Sequence, residues 1–220
     1  KSTTGENLTI TQKDQLVKDF ETYKVASITP VVVDPETTFL ILGITFSYDS
    51  SATTKTATDL GSLIGTTLEN YNTTNLNTFN SPFRHSQLTG LIDDTDTSIL
   101  MNTTTVTMAK LFTPTTTGST SYTINFNNAF YNPVSGYQNS VASGTKTYYS
   151  ETAGAVDYVN GIITINGILI SSASNVDGVA STQVRVTALS DSNDVIPVRN
   201  QLLEIDFTNT TISSKVDAAA

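Results

Sequence analysis

The sequence predicts a β-dominated α+β fold, in which a strand-helix-helix-strand unit is followed by a mainly antiparallel β region. Three observations predict it. Charged residues make up 14% of the chain, well below the roughly 25% of an average soluble domain, and Thr, Ser and Asn take their place. Thr suits a pleated, half-buried strand better than a helix, because its branched Cβ loses rotamer freedom against a preceding helical turn. Apolar residues at helical spacing lie between two strand-like runs, and beyond Thr115 the texture is that of β structure.

The elements follow in order. Thr11 and Asp14, then Leu16, Val17 and Phe20, predict a capped helix of about three turns. Lys1 is not an initiator Met and no signal-peptide pattern follows it, so residues 1–24 are expected to be a helical connector from an N-terminal portion outside this chain. Residues 31–33 and 39–48, separated by Asp34-Pro35-Glu36, predict two strands in a hairpin, the second buried on both faces. Ala57, Leu60, Leu63, Ile64, Leu68 and Tyr71 form one apolar stripe and predict a helix over 56–71. Ser81-Pro82 predicts the start of a second short helix running through Phe83, Leu88, Leu91 and Ile92. A strand over 103–112 completes an α/β unit spanning 25–115, with two helices on a small sheet.

Residues 116–220 are expected to be β-rich. Tyr122, Ile124 and Phe126 alternate with polar residues, as do Val184, Val186 and Ala188, and Leu202, Ile205 and Phe207 predict a last strand. Val159-Asn160-Gly161-Ile162 carries the strongest hairpin signal, which Asn166-Gly167 repeats. Residues 132–144 read as a long loop and 213–220 as a frayed tail. The strands after Thr115 either form their own domain or pair back onto the first sheet; the sequence leaves both open.

Composition excludes several classes of function. A net charge of −9 and a pI near 4.4 leave no cationic field for nucleic acid, and no apolar run reaches the length of a membrane span. One His, no Cys and no Trp remove the usual nucleophiles and thiolate ligands. There is no phosphate-binding glycine loop and no nucleophile elbow, so no cofactor, no small-molecule substrate and no catalytic or metal residue is expected. Asp93, Asp94 and Asp96; Asp191, Asn193 and Asp194; and Asp177 with Gly178 are the acidic clusters, and each reads as turn or helix-end chemistry. His85, without a triad partner, reads as a helix-start residue. The glycosylation-type triplets at Asn7, Asn72, Asn102 and Asn209 are what so Thr- and Asn-rich a chain produces by chance.

The connector 72–84 differs in kind, because Leu76, Phe79 and Phe83 are apolar in a segment otherwise made of turn and cap residues. They pack on the chain's own sheet or anchor an intersubunit contact together with Arg84. Gly61 and Gly65, four apart on the first helix, offer close packing against a strand or a small-residue groove for a partner. The candidate protein-interface residues are therefore Gly61, Gly65, Tyr71, Leu76, Phe79, Phe83 and Arg84.

Several stretches carry a resemblance. VDPETTFLILGITFSYDSSATTKT at 33–56, LENYNTTNLNTFNSPFRHSQLTGLIDDTDTSI at 68–99, AKLFTP ending at Pro114, SYTINFNNAFYNP and SDSNDVIPVRNQ are similar to the C-terminal part of the large baseplate wedge subunit of T-even-type contractile-tail bacteriophages, within the Baseplate J-like group. The resemblance implies a non-enzymatic virion protein of the tail baseplate. It implies that copies self-associate, contact other wedge proteins, join neighbouring wedges into a ring around the hub, and rearrange when the sheath contracts. Two rivals remain at this level: a carbohydrate- or receptor-binding β module of a tail fibre or adhesin, and a metal-assisted hydrolase using the Asp clusters.

Overall fold

The computed structural model describes residues 8–23, 29–32, 34–132, 153–173 and 181–217. Contacts divide the chain into two compact units, Lys1–Glu36 and Thr37–Ala220. In the first, α1 (Ile10–Glu21) is closed by a capping box in which Thr9 and Gln12 satisfy each other's backbone N–H groups. Lys13 pairs with Asp34 at 2.6 Å.

The second unit is built on β1 (Glu36–Tyr48). Its even-numbered residues Leu40, Leu42, Ile44 and Phe46 are buried, while Phe39, Ile41 and Gly43 are only half-buried and Thr45 is exposed. Burial is therefore one-sided, not two-sided as the unbroken apolar run suggests. The predicted hairpin partner is also absent. Val31 and Val32 take no strand structure, and Val33 lies outside the described residues. The long-range strand β2 (Ile99–Phe112) pairs antiparallel with β1 instead, from Phe39↔Ala109 to Tyr48↔Ile99.

Between these strands lie the helices. α2 (Ala57–Tyr71) starts at a Thr56–Asp59 capping box and buries Leu60, Ile64, Leu68 and Tyr71 at the spacing the sequence predicts, although Leu63 faces solvent. α3 (His85–Asp93) buries Leu88 and Ile92. It begins later than expected. Pro82 lies outside the helix because Phe83 is taken into an antiparallel bridge with Val195.

β3 (Thr120–Asn125), β4 (Gly154–Asp157) and β5 (Ile162–Ile168) form a separate three-stranded sheet in the order β3-β5-β4. The Asn160-Gly161 signal is the β4–β5 turn: Asp157 accepts the N–H groups of Val159 and Asn160, and Gly161 has φ +65°. A Cβ there would lie 1.9 Å from the Asn128 carbonyl oxygen, so only glycine fits. Asn166-Gly167 is not a second hairpin. Gly167, at φ +60°, sits inside β5 where the pairing with β3 slips by one residue, which is a bulge.

The last three strands return to the first sheet. β6 (Val184–Leu189) pairs antiparallel with β2, β7 (Gln201–Ile205) pairs with β1, and β8 (Thr211–Val216) pairs parallel with β1 from Gly43↔Thr211 to Tyr48↔Val216. Since β2 holds one edge of β1, β7 and β8 follow one another along the other. β6, β7 and β8 thus pair back across position 115 into a continuous five-stranded sheet, while β3, β4 and β5 keep a sheet of their own. Residues 213–216 are not frayed: they belong to β8, and Asp217 still donates to the Tyr48 carbonyl at 3.0 Å. Phe207 falls beyond β7 and is partly exposed. Of the predicted 132–144 loop, all but Asn132 lies outside the described residues.

Candidate protein-contact site on the connector

α2 does not stop at Tyr71 but widens into one π-helical turn, Asn72–Leu76, closed by the Asn77 N–H on the Asn72 carbonyl at 3.1 Å. The widening turns Asn72 inward, where its Oδ1 accepts the backbone N–H of Ile205 at 2.8 Å. A buried amide with that role anchors the turn to β7 and makes the Asn72 triplet a core feature. Leu76 is fully buried beside it.

The distal end of the connector is equally fixed. Phe83 is fully buried and meets Tyr71 edge to face, with ring centroids 6.1 Å apart and planes at 89°. Tyr71 Oη accepts the N–H of Arg84 at 3.2 Å, and burial pushes the phenol above its ordinary pKa. Arg84, the N-cap residue of α3, gives no side-chain cap. Asp194 supplies one from far along the chain: its Oδ1 accepts the His85 N–H at 2.8 Å, and its Oδ2 lies 3.8 Å from the Arg84 guanidinium. The carboxylate also complements the positive end of the helix dipole. His85 itself spans to β2, with Nε2 donating to the Thr104 carbonyl at 2.9 Å.

Between these anchors the chain turns outward. Asn80 has φ +63°, Thr78 and Ser81 share a hydroxyl hydrogen bond of 2.5 Å, and Phe79 is 54% exposed. The candidate residues therefore divide. Tyr71, Leu76 and Phe83 are committed to the chain's own core and present no surface to a partner. Phe79 and Arg84 are exposed and held between fixed points. Gly61 lies beside β8, where an added Cβ would be 3.9 Å from Ile212 Cγ2, and Gly65 faces open space. Neither glycine is forced by close packing.

In the first acidic cluster Asp93 and Asp96 have polar partners. Asp93 accepts from Asn102 Nδ2 at 2.7 Å. Asp96 pairs with Lys55 and accepts from the Ser98 N–H and hydroxyl, and these hold its carboxyl well below the usual carboxylate range. Asp177 lies outside the described residues. Among the described residues no three His, Cys, Asp or Glu side chains are placed to hold a metal ion. The sequence places Asp194 in an acidic cluster of turn or helix-end type but does not reveal its capping of α3, which depends on a contact more than a hundred positions away that no local spacing announces.

Residues 36–111 match the family described as baseplate structural protein gp6, C-terminal domain III. The match supports a phage baseplate protein. It runs from the first residue of β1 almost to the end of β2, and so encloses α2, the connector and α3. It supports a structural role, a place in the tail baseplate of the virion, and assembly with other baseplate proteins. No curated protein matches the chain.

Proposed function

We propose that this chain is the C-terminal part of a wedge subunit of a contractile-tail baseplate, of the Baseplate J-like kind, which joins neighbouring wedges into a ring around the hub and rearranges on contraction. It acts through protein contacts, without turnover and without a cofactor. The observation that carries the reading is that the matched span coincides with the strand-helix-helix-strand unit around the connector. The exposed aromatic side chain of Phe79, raised on a segment pinned at Asn72 and at Asp194, supports a contact there, because a rigid aromatic anchor loses little entropy on burial.

The test is the oligomeric state of the chain by light scattering over a concentration series, with Phe79→Asp as the variant. Self-association that Phe79→Asp abolishes, with unchanged melting, supports wedge joining through the connector. A strict monomer at every concentration, or an assembly indifferent to Phe79→Asp, removes the homotypic contact from this surface.

A further inference from the structure

Deepening this reading, we infer that the free edge of β8, together with the groove between β8 and α2, is a docking site for an extended strand from a different baseplate protein. β8 pairs with β1 on one side, and among the described residues nothing pairs with its other side. The direction of its backbone groups follows from the ladder. Asp217 donates its N–H to Tyr48, and in a strand alternate residues point their N–H and C=O to opposite edges. Thr211, Ser213 and Lys215 therefore face β1, whereas Ile212, Ser214 and Val216 direct both backbone groups outward. An unpaired edge of this kind is completed by extended backbone, the recognition mode in which main-chain hydrogen bonds supply affinity and alternate side chains supply specificity.

The flanks define what that strand carries. The side chains of Ile212 and Ser214 turn toward α2, where they line a groove of about 410 Å³ with Phe46, Ala57, Gly61 and Ser62. Among the described residues no charged side chain lines it, and the helix side consists of small residues. The inward positions of the docked strand are thus small and uncharged, and Gly61 is explained as the room they need, since close packing does not require it. The opposite flank presents Thr211, Ser213 and Lys215, all exposed, so the outward positions are polar with a carboxylate level with Lys215. Head-to-tail addition of copies through β6 is hindered at that strand's C-terminal end, where Phe130 bridges Ser190 and Tyr131 donates to the Leu189 carbonyl at 3.0 Å. A different protein is therefore the favoured occupant, and two-fold pairing of β8 with β8 of a second copy is the alternative that the experiment separates.

The experiment titrates the isotope-labelled full chain with each of the other baseplate proteins of its phage, purified singly, and follows amide exchange at Ile212, Ser214 and Val216. Ser214→Pro removes an outward N–H without touching the β1 ladder, a substitution that edge strands tolerate. Gly61→Leu fills the groove from the helix side. The expected result is protection of those three amides by one partner, with binding at least tenfold weaker for both variants and melting within about 2 °C of the parent. Binding that leaves those amides unprotected, or that both variants retain, overturns the edge site while the assembly reading stands. Protection that rises with the concentration of this chain alone identifies a second copy as occupant and overturns the inference as stated. Failure of every baseplate protein to bind overturns the assembly reading as well.

Discussion

Phe79 and Phe83 lie four residues apart in the connector, and replacing each by Ala separates a surface role from a core role. Phe83 is 0% exposed, packs edge to face on Tyr71 and is flanked by the bridge to Val195. Removing its ring forfeits the transfer free energy of a buried aromatic and leaves a cavity that the Asn72 and Asp194 anchors prevent from collapsing, so Phe83→Ala is expected to cost about 3–5 kcal/mol. The lost aromatic pair accounts for about 0.5–1.5 kcal/mol of that. For a chain of this length the melting temperature should fall by roughly 6–20 °C. Phe79, at 54% exposure, should cost no more than about 0.5 kcal/mol in the isolated chain. Urea unfolding of the three proteins at one pH, followed by tyrosine fluorescence and circular dichroism, measures both. Equal losses from the two substitutions, or a loss below about 1 kcal/mol for Phe83→Ala, would refute the division of the connector into anchored ends and an exposed turn.

Three further outcomes are expected. Asp194→Ala should destabilise by about 1–2 kcal/mol through the lost α3 cap and exposed ion pair, and Asp194→Asn, which keeps the acceptor, should recover most of it; equal losses from both would show that the cap is not the reason. Gly161→Ala should destabilise by more than about 1 kcal/mol in thermal unfolding because it combines positive φ with a clash on Asn128, and a neutral result would contradict the turn geometry. Asp49, Asp59, Asp96 and Asp157 all have carboxyls held below 3.8 in the folded chain, by Ser51, by Thr56, by Lys55 with Ser98, and by Asn160 respectively. Their contribution is present above that value and lost as pH falls through the lowered ones, so the urea midpoint should drop below pH 3.8, less steeply in Lys55→Ala, and a midpoint flat through that range would contradict it.

The helices and the central strands were legible because their signals are local. The spacing of Ala57, Leu60, Ile64, Leu68 and Tyr71 specifies a helix by itself, and period-two alternation specifies Tyr122, Ile124 and Val186 as inward-facing. What the sequence hid was set by partners distant in the chain. Val31 and Val32 have strand propensity, yet β1 takes its antiparallel neighbour from β2, where Phe39↔Ala109 and the pairs that follow offer a far longer ladder. β8 was invisible because TISSKV holds only Ile212 and Val216 as apolar residues, and its strand state comes from the edge of β1 that it covers. At the connector, composition identified the segment but not which aromatic is core: that depends on Val195 and Asn72 reaching across the fold.

The same distant contacts explain how a surface turn is tied to the rest of the molecule. Residues 190–196 are bonded to the connector near their C-terminal end, through Val195 on Phe83 and Asp194 on His85. The adjacent Ile196 gives both backbone groups to Asn128, which accepts its N–H at 2.9 Å and donates to its carbonyl at 3.0 Å, and at the N-terminal end Ser190 bridges Phe130 and the Asp191 N–H donates to the Ala129 carbonyl at 2.9 Å. Asn128 lies in the loop after β3, and Phe126 and Phe130 on either side of it donate their N–H groups to the carbonyls of Gly161 and Tyr158 in the β4–β5 turn. The small sheet is therefore joined to the connector by short, directional hydrogen bonds through one strap, in addition to the apolar contacts of the shared core. Lying between two elements does not by itself couple them, so the link is measured by perturbing the strap. Breaking it at Asn128 with Asn128→Ala should loosen amide protection at both ends together, at Phe83 and His85 as well as in the β4–β5 turn. Loss confined to the turn would show that the connector is held independently.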